Sequence, residues 1–562
     1  MDNTKIRSEY DKAKALRKTI ETTWNVIERL VMPYRGDFFK EGAGEHAVEW
    51  SKRDVYDSTA ISAAQSLAAT MHSSLTTPSI RWFELAFRDK DLQQNDGLAT
   101  EWLQKCGQRM YDELVESNFG LEVNECYQDL VGFGTAMVSE EIEEPKWTGL
   151  NFMSVPLKNS FFSEDHKQQV YRYYRLLRWT PLQIISKFGK KGTPKHIKDM
   201  AEKSPDEEQD VIYCIFERPS LRTAPTFTNL KRRMAPKRRP YGTKYILHKS
   251  AEMLGEEGGY YELPVFIPRW RRTNDSMWGN SPAMVALPQI LTLNETVKMR
   301  QTAAEKAIDP PLLTEDRNFL TDLELGAGDL SVVRKIDGVR PLESAGRFDV
   351  ASMEVEDSRA MIRQIFYVDQ LELKDSPAMT ATEVTVRYEL MQRLLGPTLD
   401  RLQSDFLDPM IKRTFNAMLR GGRFTEMPAS LHSADVDLDI EYQGPLSRSQ
   451  KSDSVANMQR YIQVCGEAAQ LSGKPDALDA IDFTQYSFEL GDMLSIPAAV
   501  MNDKTKVERE NKQRDAQRKE AAEAEVGKLQ GEAMQANTPP EGAGNEGIEQ
   551  GAAEQGLRGV VA

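Results

Sequence analysis

Cysteine is scarce in this chain. Its 562 residues hold four, Cys106, Cys126, Cys214 and Cys465, far apart and without a CxxC pair. That spacing argues against a disulfide framework or a cysteine zinc site and suits a reducing interior. The six histidines, His46, His72, His166, His196, His248 and His432, never fall at metal-ligand spacing on one helix. Long hydrophobic runs are also missing. The longest uncharged stretch, Ser58 to Ile80, carries Ser62, Gln65, Ser66, His72, Ser73 and Ser74. It is too polar to span a bilayer and reads as a helix with a small-residue face packed inside protein. The polar N-terminus, MDNTKIRSEYDKAKAL, is no signal peptide. Positive charge is in deficit, with a net charge of −14 and an isoelectric point near 5.2. A tight sequence-reading nucleic-acid binder usually carries a basic face, so that class is disfavoured. A surface that DNA slides past is not.

Catalytic signatures are lacking too. KFGKKGTPKH (187–196) does not satisfy the phosphate-loop pattern and reads as a basic surface turn. GNSPA (279–283) departs from GxSxG at Ala283, and Ser281 reads as a helix cap. GEH at 44–46 is not HExxH. The acid pairs Glu140-Glu141 and Glu143-Glu144 read as solvated charge rather than acid–base machinery. KRRMAPKRR (231–239) could be a nucleic-acid patch or localisation signal; a solvated loop between strands is the plainer reading. The aromatics of YRYYRLLRW suit strand packing better than base stacking. No catalytic residue, metal or cofactor is assigned.

What is present is helix, with a strand-rich section inside it. The length predicts two to four domains, and 40% hydrophobic residues can bury real cores. Residues 4–32 have helical period, with Ile6, Tyr10, Ala13, Leu16, Ile20, Trp24, Ile27 and Val31 on one face, ended by Pro33. Further helices are expected at 55–75, 98–117 and about 121–132. Strands follow from about Thr135 to Ser220, with Thr180-Pro181 opening a short helix, and again at KYILH and LPVFIPRW. Ser281-Pro282 predicts the start of a short helix, with Pro288 at the first position of a longer one ended by Asp309-Pro310-Pro311. A small β-rich module, including LSVVRKI, fills 312–349, and helix resumes at about 350–372. Two helices of about 20 residues, each ~30 Å long, thus bracket a compact module.

SPAMTATEVTVRYELMQRLLGPTLDRLQSDFLDPMIKRTFNAMLRGG (376–422) then reads as one long helix containing Pro397 and Pro409. Met391, Leu395, Leu399, Leu402, Phe406, Met410 and Leu419 give it one continuous buried face. Each proline costs about 3 kcal/mol in an isolated helix, so neighbours must hold both halves. Its mixed charges, among them Arg387, Glu389, Asp400, Arg401, Lys412 and Arg413, suit contact with copies of itself better than one nucleic-acid face. A strand at Asp437–Tyr442, a helix within 444–471 and a charged helix at Asp503–Ala536 precede a tail expected to be disordered.

Taken together, WGNSPAMVALPQILTLNETVKMRQTAAEKAIDPPLL (278–313), MTATEVTVRYELMQRLLGPTLDRLQSDFLDPMIKRTFNAML (379–419), YQGPLSRSQK (442–451) and SAAQSLAATMHSSLTTPSIRWFEL (62–85) resemble the head-to-tail connector, or portal, proteins of podovirus-type short-tailed bacteriophages. The resemblance covers roughly residues 5–510. It implies an α+β, mainly helical portal fold assembling as a ring. The expected parts are a wing (1–279), a first stem helix (280–308), a clip (309–349), a second stem helix (350–372), a channel loop (373–379), a long kinked wing helix (380–422), a crown (423–536) and a disordered tail (537–562). It further implies a ring of usually twelve subunits at one capsid vertex of the virion, formed in the host cytoplasm. Double-stranded DNA would pass through it at packaging and ejection. Implied partners are the major capsid protein, scaffolding protein, terminase large subunit, tail adaptor and internal core proteins, with no membrane. From position alone, Lys298, Arg300, Lys306, Arg359, Arg363, Lys374, Asp375 and Met379 are candidates for the DNA channel. A tail adaptor or scaffold is the alternative structural reading, and a DNA-processing enzyme the alternative from another class.

Overall fold

The computed structural model describes residues 2–35, 54–78, 81–88, 96–142, 147–221, 227, 233–273, 276–308, 312–314, 339–341, 348–371, 395–431, 438–442, 455–465 and scattered positions from 467 to 517. The chain divides into two compact units, Met1–Met501 and Asn502–Ala562. In the second, residues 509–514 are helical, with Arg514 and Glu510 3.7 Å apart.

Helix α1 (Asn3–Leu30) buries Ile6, Tyr10, Ala13, Trp24 and Ile27, as its period predicts. Leu16 departs from that expectation and is 60% exposed, whereas Arg17 is buried. The Arg17 guanidinium lies over the Phe161 ring and donates to the carbonyls of Leu157, Lys158 and Ser160. Carbonyls and Glu21 thus satisfy a charge that burial would otherwise make costly. Helix α2 (Thr59–Leu75) buries Ala60, Ala63, Ala64, Leu67 and Ala68, the small-residue face expected of the uncharged stretch. After β1 (Phe83–Phe87) come α3 (Gly97–Glu116) and α4 (Phe119–Phe133). Among the described residues no helix is long and apolar enough to cross a membrane.

The strand-rich section forms two antiparallel sheets. Strands β2 (Val138–Glu141) and β3 (Asn151–Ser154) join β9 (Val265–Phe266) in the order β3-β2-β9. Strands β4 (Ser160–Glu164), β5 (Val170–Trp179), β6 (Gln209–Glu217), β7 (Tyr241–Leu247) and β8 (Met253–Tyr260) form a sequential meander. The first half of α1, through Ile6, Tyr10 and Ala13, packs on Tyr174, Ile212, Cys214 and Ile246 of this meander. Val211, Leu247 and Leu254 meet the short helices α5 (Pro181–Phe188) and α6 (Lys195–Lys203) through Ile184 and Ile197. Alternate residues of β6 therefore serve opposite faces, which explains its nearly unbroken apolar sequence. Helix α5 starts with the capping box Thr180–Gln183 and Pro181 in the first turn. The Trp179 ring stacks on Tyr245 at 5.8 Å, consistent with strand packing.

Two helical boundaries differ from those the sequence suggests. Pro288 does not open a new helix; it lies inside α7 (Pro282–Ile308). Ser281 does cap that helix, accepting from the Met284 N–H at 3.0 Å. The expected helix 350–372 appears as α8 (Phe348–Ile365) and α9 (Val368–Leu371), broken at Tyr367 with φ 60°. Phe366, fully buried, anchors the break and offsets a left-handed conformation costing about 1–2 kcal/mol. Between α7 and α8, β10 (Leu312–Thr314) pairs antiparallel with β11 (Val339–Pro341); LSVVRKI lies outside the described residues.

Of the long helix, residues 372–394 lie outside the described residues; 395–402 are α-helical, Gln403–Leu407 form a π-helical turn, and α10 spans Asp408–Gly421. The wide turn has a local cause. A proline ring at 409 would clash with the carbonyl of residue 405 in a regular α-helix, and a π turn widens that spacing. Leu395, Leu402, Phe406, Met410 and Leu419 are buried, as expected. Strand β12 (Leu438–Tyr442) returns to pair with β1, Phe83 opposite Tyr442. A helix at 455–465 follows.

Candidate functional site

Helices α7 and α8, which bracket in sequence the segment expected to carry function, pack against each other. Ile290, Leu293 and Val297 of α7 share the main core with Val355, Ile362 and Phe366 of α8. The base of α7 is fixed by backbone contact. A Cβ on Gly279 would lie 1.9 Å from the Gly134 carbonyl oxygen, and one on Gly134 would lie 2.5 Å from that of Gly279. Gly134 also has φ 74° and ends α4. Only glycine permits both this conformation and this approach. Around it, the Gly279 N–H donates to Thr135 Oγ1 at 2.8 Å, and Ser281 Oγ donates to the Gly132 carbonyl at 2.7 Å. Trp24 donates to the Phe133 carbonyl at 3.0 Å and meets Trp278 edge-on at 5.1 Å. The Ser281 hydroxyl is thus engaged on both sides as a structural link.

Further along the hairpin, the segment ahead of α2 braces both helices. Asn294 Oδ1 accepts from the Tyr56 N–H at 2.8 Å, and its Nδ2 donates to the Asp54 carbonyl at 2.9 Å. Arg359 of α8 grips Asp57 through Nε at 3.0 Å and Nη2 at 2.7 Å, and Glu356 through Nη1 at 2.7 Å. The Asp57 hydrogen bond is the main reason the Arg359 pKa is raised. Burial pushes the Asp57 carboxyl up, but hydrogen bonds from Thr59 and Arg359 outweigh it and hold the group below the usual range.

The candidate channel residues separate on this frame. Lys298 is half-buried with its ammonium over the Tyr56 ring at 5.7 Å, and Arg300 is half-buried on the same helix. Lys306 and Arg363 are exposed. Arg359 is neutralised by its two acids. Lys374, Asp375 and Met379 lie outside the described residues. The brace residues Tyr56, Asp57 and Asn294 are absent from the sequence-derived candidates. Asp57 left one signal: a carboxylate two residues before a helix start, where it accepts the Thr59 N–H at 2.9 Å.

Glu140 corrects another expectation. Far from being solvated, it is fully buried against α10. Arg413 Nε lies 3.1 Å from its carboxylate, and Thr414 donates to it at 3.0 Å. Arg420 makes a two-pronged pair with Glu262, 2.8 Å on each arm. Burial outweighs the Arg413 charge and pushes the Glu140 pKa up to about 7. Glu141 is exposed, and Glu143 and Glu144 lie outside the described residues. A second cluster joins Arg269 to Glu164 and Asp405, with Arg272 on Glu164 at 2.8 Å. These clusters pin the π turn and α10 to the sheets.

A sequence profile for the family described as bacteriophage head to tail connecting protein matches residues 3–501. The chain belongs to that family. It is 25% identical to a portal protein of Salmonella phage epsilon15 over 92% of this chain and 93% of the relative. It is 26% identical to a probable portal protein of Bordetella phage BPP-1, over 92% of each. Among solved structures it is similar, with 10% identity and a TM-score of 0.32, to a chain from the virion of a native gene transfer agent particle, covering 75% of this chain and 90% of that one. The connector family is structural, and its membership assigns no catalytic activity.

Proposed function

We propose that this chain is a phage portal protein: copies close into a ring at one capsid vertex, and α7 and α8 line its axial channel. The observation that carries this reading is the connector-family match across residues 3–501, with relatives named as portal proteins spanning nearly their whole length. The hairpin supports it physically. Its base is locked into the body, while Met299 and Ile308 on α7 and Met353 on α8 are 62%, 85% and 71% exposed in the single chain. Neighbouring copies would cover such apolar groups in a ring.

Double-stranded DNA passes through the channel inward at packaging and outward at ejection. Fixed Lys or Arg contacts to phosphate would each add a counterion-release binding term and retard that movement. A chain of net charge −14 keeps such contacts few. Lys306 and Arg363 are then the lumen-facing exceptions, with Lys298, Arg300, Lys374, Asp375 and Met379 completing the candidate lining, and Arg359 acts as a brace. Twelve subunits, terminase docking followed by the tail adaptor, contacts to the major capsid, scaffolding and internal core proteins, and nucleation of the procapsid belong to the same proposal. Negative-stain microscopy of the purified chain tests it: rings with a central hole are expected, and a uniform population of monomers or filaments overturns it.

A further inference from the structure

One face of the helix from Pro397 to Arg413 lines an open cleft of about 880 Å³. Pro397, Asp400, Ser404 and Pro409 recur at helical spacing along this wall, so both helix-breaking prolines face the opening. The opposite wall carries Lys167, Leu263, Val265 and Phe266. The cleft lining holds six basic and three acidic side chains, in a chain that is acidic overall. Arg269, Arg272 and Arg413 are occupied by Glu164, Asp405, Glu140 and Glu262. Arg401 is not. It is half-buried, its Nη1 is shut off from solvent without a hydrogen-bond partner, and it has no ion pair among the described residues. A partly desolvated guanidinium without a counter-charge is the arrangement that an incoming carboxylate relieves.

We propose that this cleft binds an extended segment of a second polypeptide that alternates carboxylate and apolar side chains, with Arg401 pairing a carboxylate near one end and Lys412 one near the other. Two observations select this ligand class. Arg401 and Lys412 lie eleven residues apart, three helical turns or about 16 Å along one face. That matches carboxylates spread over about five residues of an extended chain, not the adjacent phosphates of a nucleotide. Between the polar groups, Leu263, Val265, Phe266, Pro397 and Pro409 add apolar surface, and a bare phosphodiester backbone has nothing to cover it. The inference stands independently of the portal reading.

The test is fluorescence anisotropy of the full chain with a labelled probe peptide, acetyl-Gly-Glu-Val-Glu-Leu-Glu-Gly-amide. Arg401→Gln should weaken binding about tenfold, Arg401→Lys should recover part of it, and Lys412→Gln, at the exposed rim, should weaken it a few-fold. Unchanged melting of each variant shows that the fold is intact. Equal binding by Arg401→Gln, equal binding of the peptide with Gln in place of Glu, or no binding at millimolar peptide overturns the proposal. So does displacement by inorganic phosphate or ATP at concentrations below the peptide's own, which would mark a free-anion or nucleotide site.

Discussion

The base and the outer part of the α7–α8 hairpin are built on different physics. At the base, two glycine backbones touch, a serine caps a helix while tying down a carbonyl, and Trp24, Trp278 and Phe162 interlock edge to face. Farther out, the contacts are an asparagine bridge, one arginine–aspartate clamp and a cation over a tyrosine ring, and apolar side chains face solvent. The base is complete within one chain. The outer part is held in place but left partly uncovered, which is what a segment needs if its remaining contacts come from elsewhere. Disturbing the base should therefore cost the fold, and disturbing the outer part should cost assembly.

The strongest way to break that contrast is Gly279→Ala. Its Cβ would meet a backbone oxygen that no rotamer can move, so a loss of about 3 kcal/mol or more is expected, read as a large drop in melting temperature. Next comes the buried acid that ties β2 to α10. Because the folded Glu140 pKa is about 7 against an ordinary 4.5, the folded chain retains a proton that the unfolded chain has lost between those values. Its contribution to stability therefore falls as pH rises from about 4.5 to about 7. Glu140→Gln should remove that pH dependence, on the order of 3 kcal/mol across the window relative to the parent, measured by denaturant melts. Asp57→Ala tests the middle of the hairpin. It strips Arg359 of its buried partner and should cost about 1–2 kcal/mol, with Arg359→Ala adding little on top in a double-mutant cycle. The smallest effect on folding belongs to Met299→Ser with Ile308→Ser. Chain stability should change by under about 0.5 kcal/mol each while the ring population in micrographs falls. A matching loss of stability would show that the hairpin's outer face is packed within the single chain after all.

Much of this was legible from residue order. The apolar periods of α1 and of 395–421 placed their cores, the Thr180–Gln183 capping box and Ser281 placed helix starts, and the connector resemblance agrees with the family match. Glu140 was misjudged, and the burial of Arg17 was not read at all, for one reason. A charged residue inside an apolar pattern reads as solvent-facing unless its partner is known, and here the partners are 140 and 273 residues away, at Leu157 and Arg413. Of the candidate site, Lys306 and Arg363 are exposed in the single chain, whereas Arg359 is spent on Asp57, a residue with no sequence neighbour to announce the pairing.

By itself the sequence determined much of the local grammar: which of the described segments are helices or strands, which faces are apolar, and that two helices bracket a β pairing. Those properties depend on residues within a few turns of each other. Tertiary structure decided the rest: that Pro288 stays inside a helix, that α8 breaks at Tyr367, and that Gly134 must meet Gly279. Each of these is settled by the fit between elements distant in the chain. Steric contact and charge pairing across such distances leave no periodic trace in the order of residues.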